Sequence, residues 1–276
     1  MSSEKKPPSG QDALRQSGWR TRTGPVVQQD APAGKPASER TEASNPPART
    51  PEPGQDVADF IKQVRAMAPS ATAAASKARL LFAMDATMSR KPTWDLALQL
   101  QGDMFTAVKE VGGLDVQLIY FRGYNECQAS KWVSDPAALA RLMTTVDCRG
   151  GNTQIRKVLS HARTEAARQR VNAMVYVGDC MEENVDELCQ RAGELTLLGC
   201  PVFLFQEGHD ARAEQAFREI ARITRGAYCR FDAGSARQLR ELLSAVAVYA
   251  AGGRKALATL SQRQGGGARL LLEQLK

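Results

Sequence analysis

Asp85, Thr87 and Ser89 stand at alternate positions in FAMDATMSR (82–90), directly behind the apolar run RLLFAM (79–84). Asp179 follows a second apolar run, VNAMVYVG (171–178), and Thr153 follows a glycine pair in CRGGNTQ (148–154). Together they form an all-oxygen set of carboxylates and hydroxyls. Carboxylates brought to one spot repel each other unless positive charge lies between them. Such ligands suit a hard cation: Mg²⁺ first, with Mn²⁺ and Ca²⁺ as the other candidates. No His or Cys ligand is expected at this point, and none of the six cysteines forms a Cys-x-x-Cys pair. Zinc is therefore not expected. The competing reading makes Asp85 and Thr87 turn residues, and Asp179 a helix N-cap with Glu182 and Glu183 on the helix dipole.

These residues need elements that carry them to one place. The runs 79–84, 171–178 and PVFLFQ (201–206) are continuously apolar, as expected of strands covered on both faces. DVQLIYF (115–121) and GAYCRF (226–231) read as further strands, and CQASKWV (127–133) as an antiparallel partner after the turn RGYNE. Between them lie helix-periodic stretches: Trp94 to Val111, a helix opened by Ser134-Asp135-Pro136, Ile155 to about Arg170, one carrying Val185, Leu188 and Leu195, one striped by Phe217, Ile220 and Ile223, and one capped by Ser235. This alternation predicts an α/β, Rossmann-like doubly wound sheet of six strands. The sheet is mostly parallel with one antiparallel edge strand, and helices cover both faces. In such sheets ligands bind at the carboxyl ends of the strands, where strand order reverses. Asp85 and Asp179 both fall at such ends.

Residues 1–54 hold nine of the 13 prolines and one aromatic residue, Trp19, so a disordered arm is expected. Residues 55–77 read as a short amphipathic helix, with Val57, Phe60, Ile61 and Val64 on one stripe, and an Ala/Ser linker. The body is expected over 78–250. A tail of short helices around a Gly run, 251–276, would dock on the body or on a partner. The net charge of +7 is scattered, without a basic cluster or an aromatic-basic motif, so neither nucleic acid nor a membrane surface is the expected partner. No apolar run is long enough to span a membrane, and the first residues carry no apolar leader. A cytoplasmic location with reduced thiols is the expectation, and the Ala/Arg-rich composition fits a bacterium. Nothing in the pattern sets an oligomeric state.

Asp85-Ala86-Thr87-Met88-Ser89, Gly150-Gly151-Asn152-Thr153 and Val177-Gly178-Asp179 together resemble the metal-ion-dependent adhesion site of von Willebrand factor A domains. That family carries DxSxS on its first loop, a Thr in a later loop and an Asp after the fourth core strand. The order and the intervening elements match over roughly residues 76–250, as in bacterial intracellular members. Thr87 replaces the commoner Ser and keeps the hydroxyl. The resemblance implies that Thr87, Ser89 and Thr153 contact the metal through hydroxyls, and that Asp85 and Asp179 act directly or through water. One position stays open for an acidic side chain of a partner protein. It implies a binding module rather than an enzyme. Arg90 and Lys91 place positive charge beside the site. The main rival is a Mg²⁺-dependent phosphohydrolase using Asp85, but a haloacid-dehalogenase-like site wants an Asp where Thr87 stands. A metal-free scaffold domain is the third reading. No GxGxxG follows the first strand, and His161 and His209, both expected to face solvent, form no catalytic set with Ser or Cys.

Overall fold

The computed structural model describes residues 19–20, 77–107, 113–232 and 235–275. The expected helix and linker over 55–77 lie outside them, apart from Lys77. So does the expected disordered arm, apart from Trp19–Arg20.

The strands are β1 (Trp19–Arg20), β2 (Ala78–Asp85), β3 (Leu114–Arg122), β4 (Glu126–Ser130), β5 (Ala173–Gly178), β6 (Val202–Glu207) and β7 (Ala227–Phe231). The helices are α1 (Lys91–Ala107), α2 (Pro136–Thr144), α3 (Ile155–Arg168), α4 (Val185–Leu197), α5 (Ala211–Thr224), α6 (Ala236–Gln264) and α7 (Gly266–Gln274). A single 3-10 turn over Met88–Arg90 links β2 to α1.

The sheet order is β1-β4-β3-β2-β5-β6-β7. β2, β3, β5, β6 and β7 run parallel, and β4 joins β3 antiparallel. This is the expected six-stranded, doubly wound sheet with one antiparallel edge strand. One addition was not anticipated: the backbone of Trp19–Arg20 pairs antiparallel with Ser130 and Ala129, outside β4. From β2 at the centre the chain moves outward through β3 and β4, then returns to lay β5 on the other side of β2. Strand order therefore reverses between β2 and β5, which opens a crevice at their carboxyl ends.

Strand alternation splits the apolar side chains between two layers. Leu80, Phe82 and Met84, with Val116, Leu118, Tyr120, Val175 and Phe203, pack under α1, α2, α6 and α7. Leu81, Ala83, Ile119, Phe121, Met174 and Tyr176 pack under α3, α4 and α5. Both layers hold side chains with no exposure, which is why the strands read as unbroken apolar runs. Asp135 caps α2 by accepting from the Ala138 N–H at 2.9 Å, with Pro136 in the first position, as the sequence implied.

The tail docks on the body. α6 kinks at Gly253, where φ is 66° and a side chain would be strained. The chain then reverses at Gly265 into α7. Ala268, Leu271 and Leu275 are buried in the same layer as α6. The Gln274 amide exchanges two hydrogen bonds with the Tyr228 backbone, accepting at 2.9 Å and donating at 2.8 Å. α7 thus satisfies part of the open edge of β7, a protection that edge strands need.

Candidate functional site

β2 ends on Asp85, whose side chain has no exposure. The backbone then turns sharply, because the Thr87 N–H donates to Asp85 Oδ1 at 2.7 Å. The alternate spacing of Thr87 and Ser89 carries both hydroxyls to the same side, 3.3 Å apart. Ser89 then donates to Asp179 Oδ2 at 3.1 Å. Asp85, Thr87, Ser89 and Asp179, the last two 90 positions apart, form one continuous hydrogen-bonded cluster.

Neighbouring loops brace it. The Ala86 N–H donates to the Phe121 carbonyl, and the Arg149 N–H to the Ala86 carbonyl, both at 3.0 Å. The Asn152 N–H and the Gln154 side chain both bond the Gly123 carbonyl at 3.2 Å. That approach requires glycine at 151, because a Cβ there would run into the Gly123 backbone.

Thr153 is bonded to Glu182 rather than to this cluster. Its hydroxyl donates to Glu182 Oε2 at 2.7 Å, and the Glu182 N–H donates back to it at 3.3 Å. A hydroxyl that gives its proton to a carboxylate keeps a lone pair for another partner. Asp179 is not an N-cap: Asn184 caps α4, accepting from the Asp186 N–H at 2.8 Å. Glu183 serves a different helix, since both its carboxylate oxygens accept from the first N–H groups of α3, Ile155 and Arg156. Glu182 and Glu183, expected on the helix dipole, thus have separate positions ahead of α4, while Asp186 lies in its first turn.

Two carboxylate oxygens in the cluster are left over. Asp85 Oδ2 and Asp179 Oδ1 are buried and have no hydrogen-bond partner. Burial raises the Asp85 carboxyl from 3.8 to about 6, against the opposing effect of its Thr87 hydrogen bond. An unpartnered buried carboxylate oxygen costs free energy unless something positive meets it. The donor set therefore fits a divalent cation.

The structure also shows how the residues around the cluster are held. Arg90, expected to place positive charge beside the site, is 2% exposed and pairs with Glu207 at the end of β6, to which Thr93 also donates. Its Nε and Nη2 have no partner. Burial lowers its pKa, while the charges of Asp179 and Asp85 oppose that fall. Lys91 turns away to Asp95 at 2.7 Å. Cys180 lies close by. Its thiol, with carboxylate oxygens of Asp85 and Asp179, forms a group whose ligand atoms all lie within 4.8 Å of one another. The sequence reading placed no sulfur here, and the thiol lies beside the two carboxylates. The signal was its place next to Asp179, but only the loop's path shows where the thiol goes. His161, expected to face solvent, is half-buried and meets Gln117 at 2.9 Å. Tyr124 is 83% exposed on the β3–β4 turn, and Met88 is 61% exposed inside the Asp85 loop. No helix among the described residues is long and apolar enough to cross a membrane.

No family model and no curated protein sequence matches the chain. Solved structures do match. One is a von Willebrand factor type A protein from Catenulispora acidiphila, 13% identical with a TM-score of 0.51, covering 64% of this chain and 43% of that chain. Another is the VWA domain of SpRpn10, 12% identical with a TM-score of 0.50, covering 69% of this chain and 97% of that one. This chain spans less than half of the Catenulispora protein's chain and nearly all of the SpRpn10 domain. At such identities the likeness is one of fold: the described body has the fold of a von Willebrand factor A domain.

Proposed function

We propose that this domain binds a partner protein through a divalent cation held at the carboxyl edge of β2 and β5. Asp85, Thr87, Ser89, Thr153 and Asp179 supply the oxygen ligands, and Mg²⁺ is the first candidate. The observation that carries this reading is the pair of buried, unpartnered oxygens, Asp85 Oδ2 and Asp179 Oδ1, joined by a chain of hydroxyls. A hard cation with oxygen ligands meets both. The bound ion would leave a ligand position for an acidic side chain from the partner. Exposed Met88 and Tyr124, on loops that rim the cluster, offer apolar contact around that point. The site is one of binding, not turnover: Thr87 offers a hydroxyl where a phosphohydrolase needs a carboxylic acid. A cytoplasmic setting in a bacterium belongs to the same reading.

Arg90 favours a second reading. It is a buried permanent cation whose charge acts on both Asp85 and Asp179. It partly neutralises the pair from inside the protein, so the domain would serve as a scaffold without metal. Calorimetry with Mg²⁺ and Mn²⁺ on wild type and Asp85→Ala separates the two. The metal reading expects binding heat that vanishes in the variant, and partner capture from lysate that a chelator abolishes. Absence of heat in the wild type, with capture retained in chelator, overturns it in favour of the scaffold.

A further inference from the structure

Cys180 follows Asp179 directly, on the loop leaving β5, and is only partly exposed. Its Sγ donates to Glu182 Oε1 at 3.9 Å. With Asp85 and Asp179 it forms, among the described residues, the one group of three Cys, His or carboxylate ligands close enough to share an ion. The second, independent observation is Asp85, fully buried, with Oδ2 lacking any partner. The spacing suits a compact ion: metal–sulfur and metal–oxygen bonds of about 2.3 and 2.0–2.2 Å join ligand atoms up to about 4 Å apart. Small side-chain rotations close the rest.

We infer that Cys180, Asp85 and Asp179 form a mixed sulfur–oxygen site for a thiophilic divalent cation of the zinc class. This rests on the reading of Asp85 and Asp179 as metal ligands and changes which ion they serve. Mg²⁺ prefers oxygen and gains nothing from a thiol, whereas Zn²⁺ and Cd²⁺ bind thiolate strongly. On binding, the metal–sulfur bond replaces the S–H bond, and the proton passes to solvent. Three protein ligands leave a fourth tetrahedral position open, as in zinc sites that accept an outside ligand. The other thiols do not share this setting. Cys200 is buried, and burial alone pushes its thiol up to about 12. Cys229 lies beneath the Gln274 amide of the tail.

The test uses the full chain, reduced and stripped with chelator, titrated with Cd²⁺ and with Co²⁺. The readout is the thiolate-to-metal charge-transfer band. One equivalent is expected to produce the band in wild type and in Cys148→Ser. The band is expected to be absent in Cys180→Ser and to need about tenfold more Cd²⁺ in Asp85→Asn. Loss of one of three protein ligands is expected to weaken Cd²⁺ binding roughly tenfold or more in Cys180→Ser, with Mg²⁺ binding heat unchanged. No band in the wild type, or a band that survives Cys180→Ser, overturns the inference. Because the wild-type band needs no variant, a misfolded substitution cannot mask the answer. Mg²⁺ heat without a band overturns this inference and leaves the oxygen site standing. A band without Mg²⁺ heat supports it and overturns the Mg²⁺ reading.

Discussion

Asp85 sets the chemistry of the cluster because it is the most deeply buried of the acids there. Its carboxyl is raised from 3.8 in the unfolded chain to about 6 in the fold. The native state therefore holds this proton more tightly than the unfolded state. The stabilisation from proton binding is full below pH about 4 and is lost as pH rises through about 6. In metal-free protein at pH 7, the buried charge costs up to about 3 kcal/mol at ~1.4 kcal/mol per pKa unit. Asp85→Asn is expected to remove that cost, raising the melting temperature in chelator at pH 7 but not at pH 4, while ending Mg²⁺ binding. Melting curves of both proteins across that pH range check it. A variant less stable than wild type at pH 7 would show that Asp85 holds the loop rather than straining it.

At the scale of elements, the site depends on helix ends fastened across the sheet edge. α3 begins after Gln154, whose side chain is turned to the Arg122 and Gly123 carbonyls and makes no cap. Glu183 fills that gap from another loop, accepting from the Ile155 and Arg156 N–H groups. A carboxylate at a helix N-terminus meets both unpaired donors and the positive end of the dipole. Arg212 on α5 secures the same loop by donating to the Glu183 carbonyl at 3.2 Å. Glu183→Ala is expected to cost about 1–2 kcal/mol in urea unfolding and to weaken metal binding. The second effect follows because Thr153 precedes α3 by two residues and Glu182 precedes Glu183 by one. Unchanged stability would mean that solvent caps α3 equally well.

At the scale of the whole molecule, α6 and α7, up to Gln274, belong to the body. Leu271 on α7 has no exposure and lies in the layer formed by α6, β2 and β7. Leu271→Ala is expected to cost about 2–5 kcal/mol, measured by denaturant unfolding. Deleting residues after Gly265 would also strip the Gln274 bonds from the β7 edge, so self-association is expected, measured by sedimentation. A shortened chain that stays monomeric and equally stable would make α7 an accessory. By comparison, the exposed Leu197 at the end of α4 is an isolated apolar residue and needs no account.

The doubly wound sheet was legible in the sequence because its two periodicities are local. Leu80 to Met84 and Val175 to Gly178 are apolar throughout, since both faces of their strands are covered. The helices between them show their stripes. Asp85, Thr87 and Ser89 were legible for the same reason, as strand exit and spacing along one loop bring their groups together. Other features depend on neighbours far along the chain. Glu207 lies 117 residues from Arg90, and no local pattern distinguishes a guanidinium that folds inward onto a β6 carboxylate from one that faces water. Thr153 meets Glu182 across 29 residues, and Glu183 caps α3 across 27 and 28. Cys180 was visible only as the neighbour of Asp179, and its thiol's meeting with Asp85 depends on the path of the loop after β5. The sequence by itself determined the strands, their acidic ends and the hard-oxygen character of the first loop. Only the tertiary structure decided that a sulfur and a buried arginine join them, because packing across the sheet edge brings together residues that no local period links.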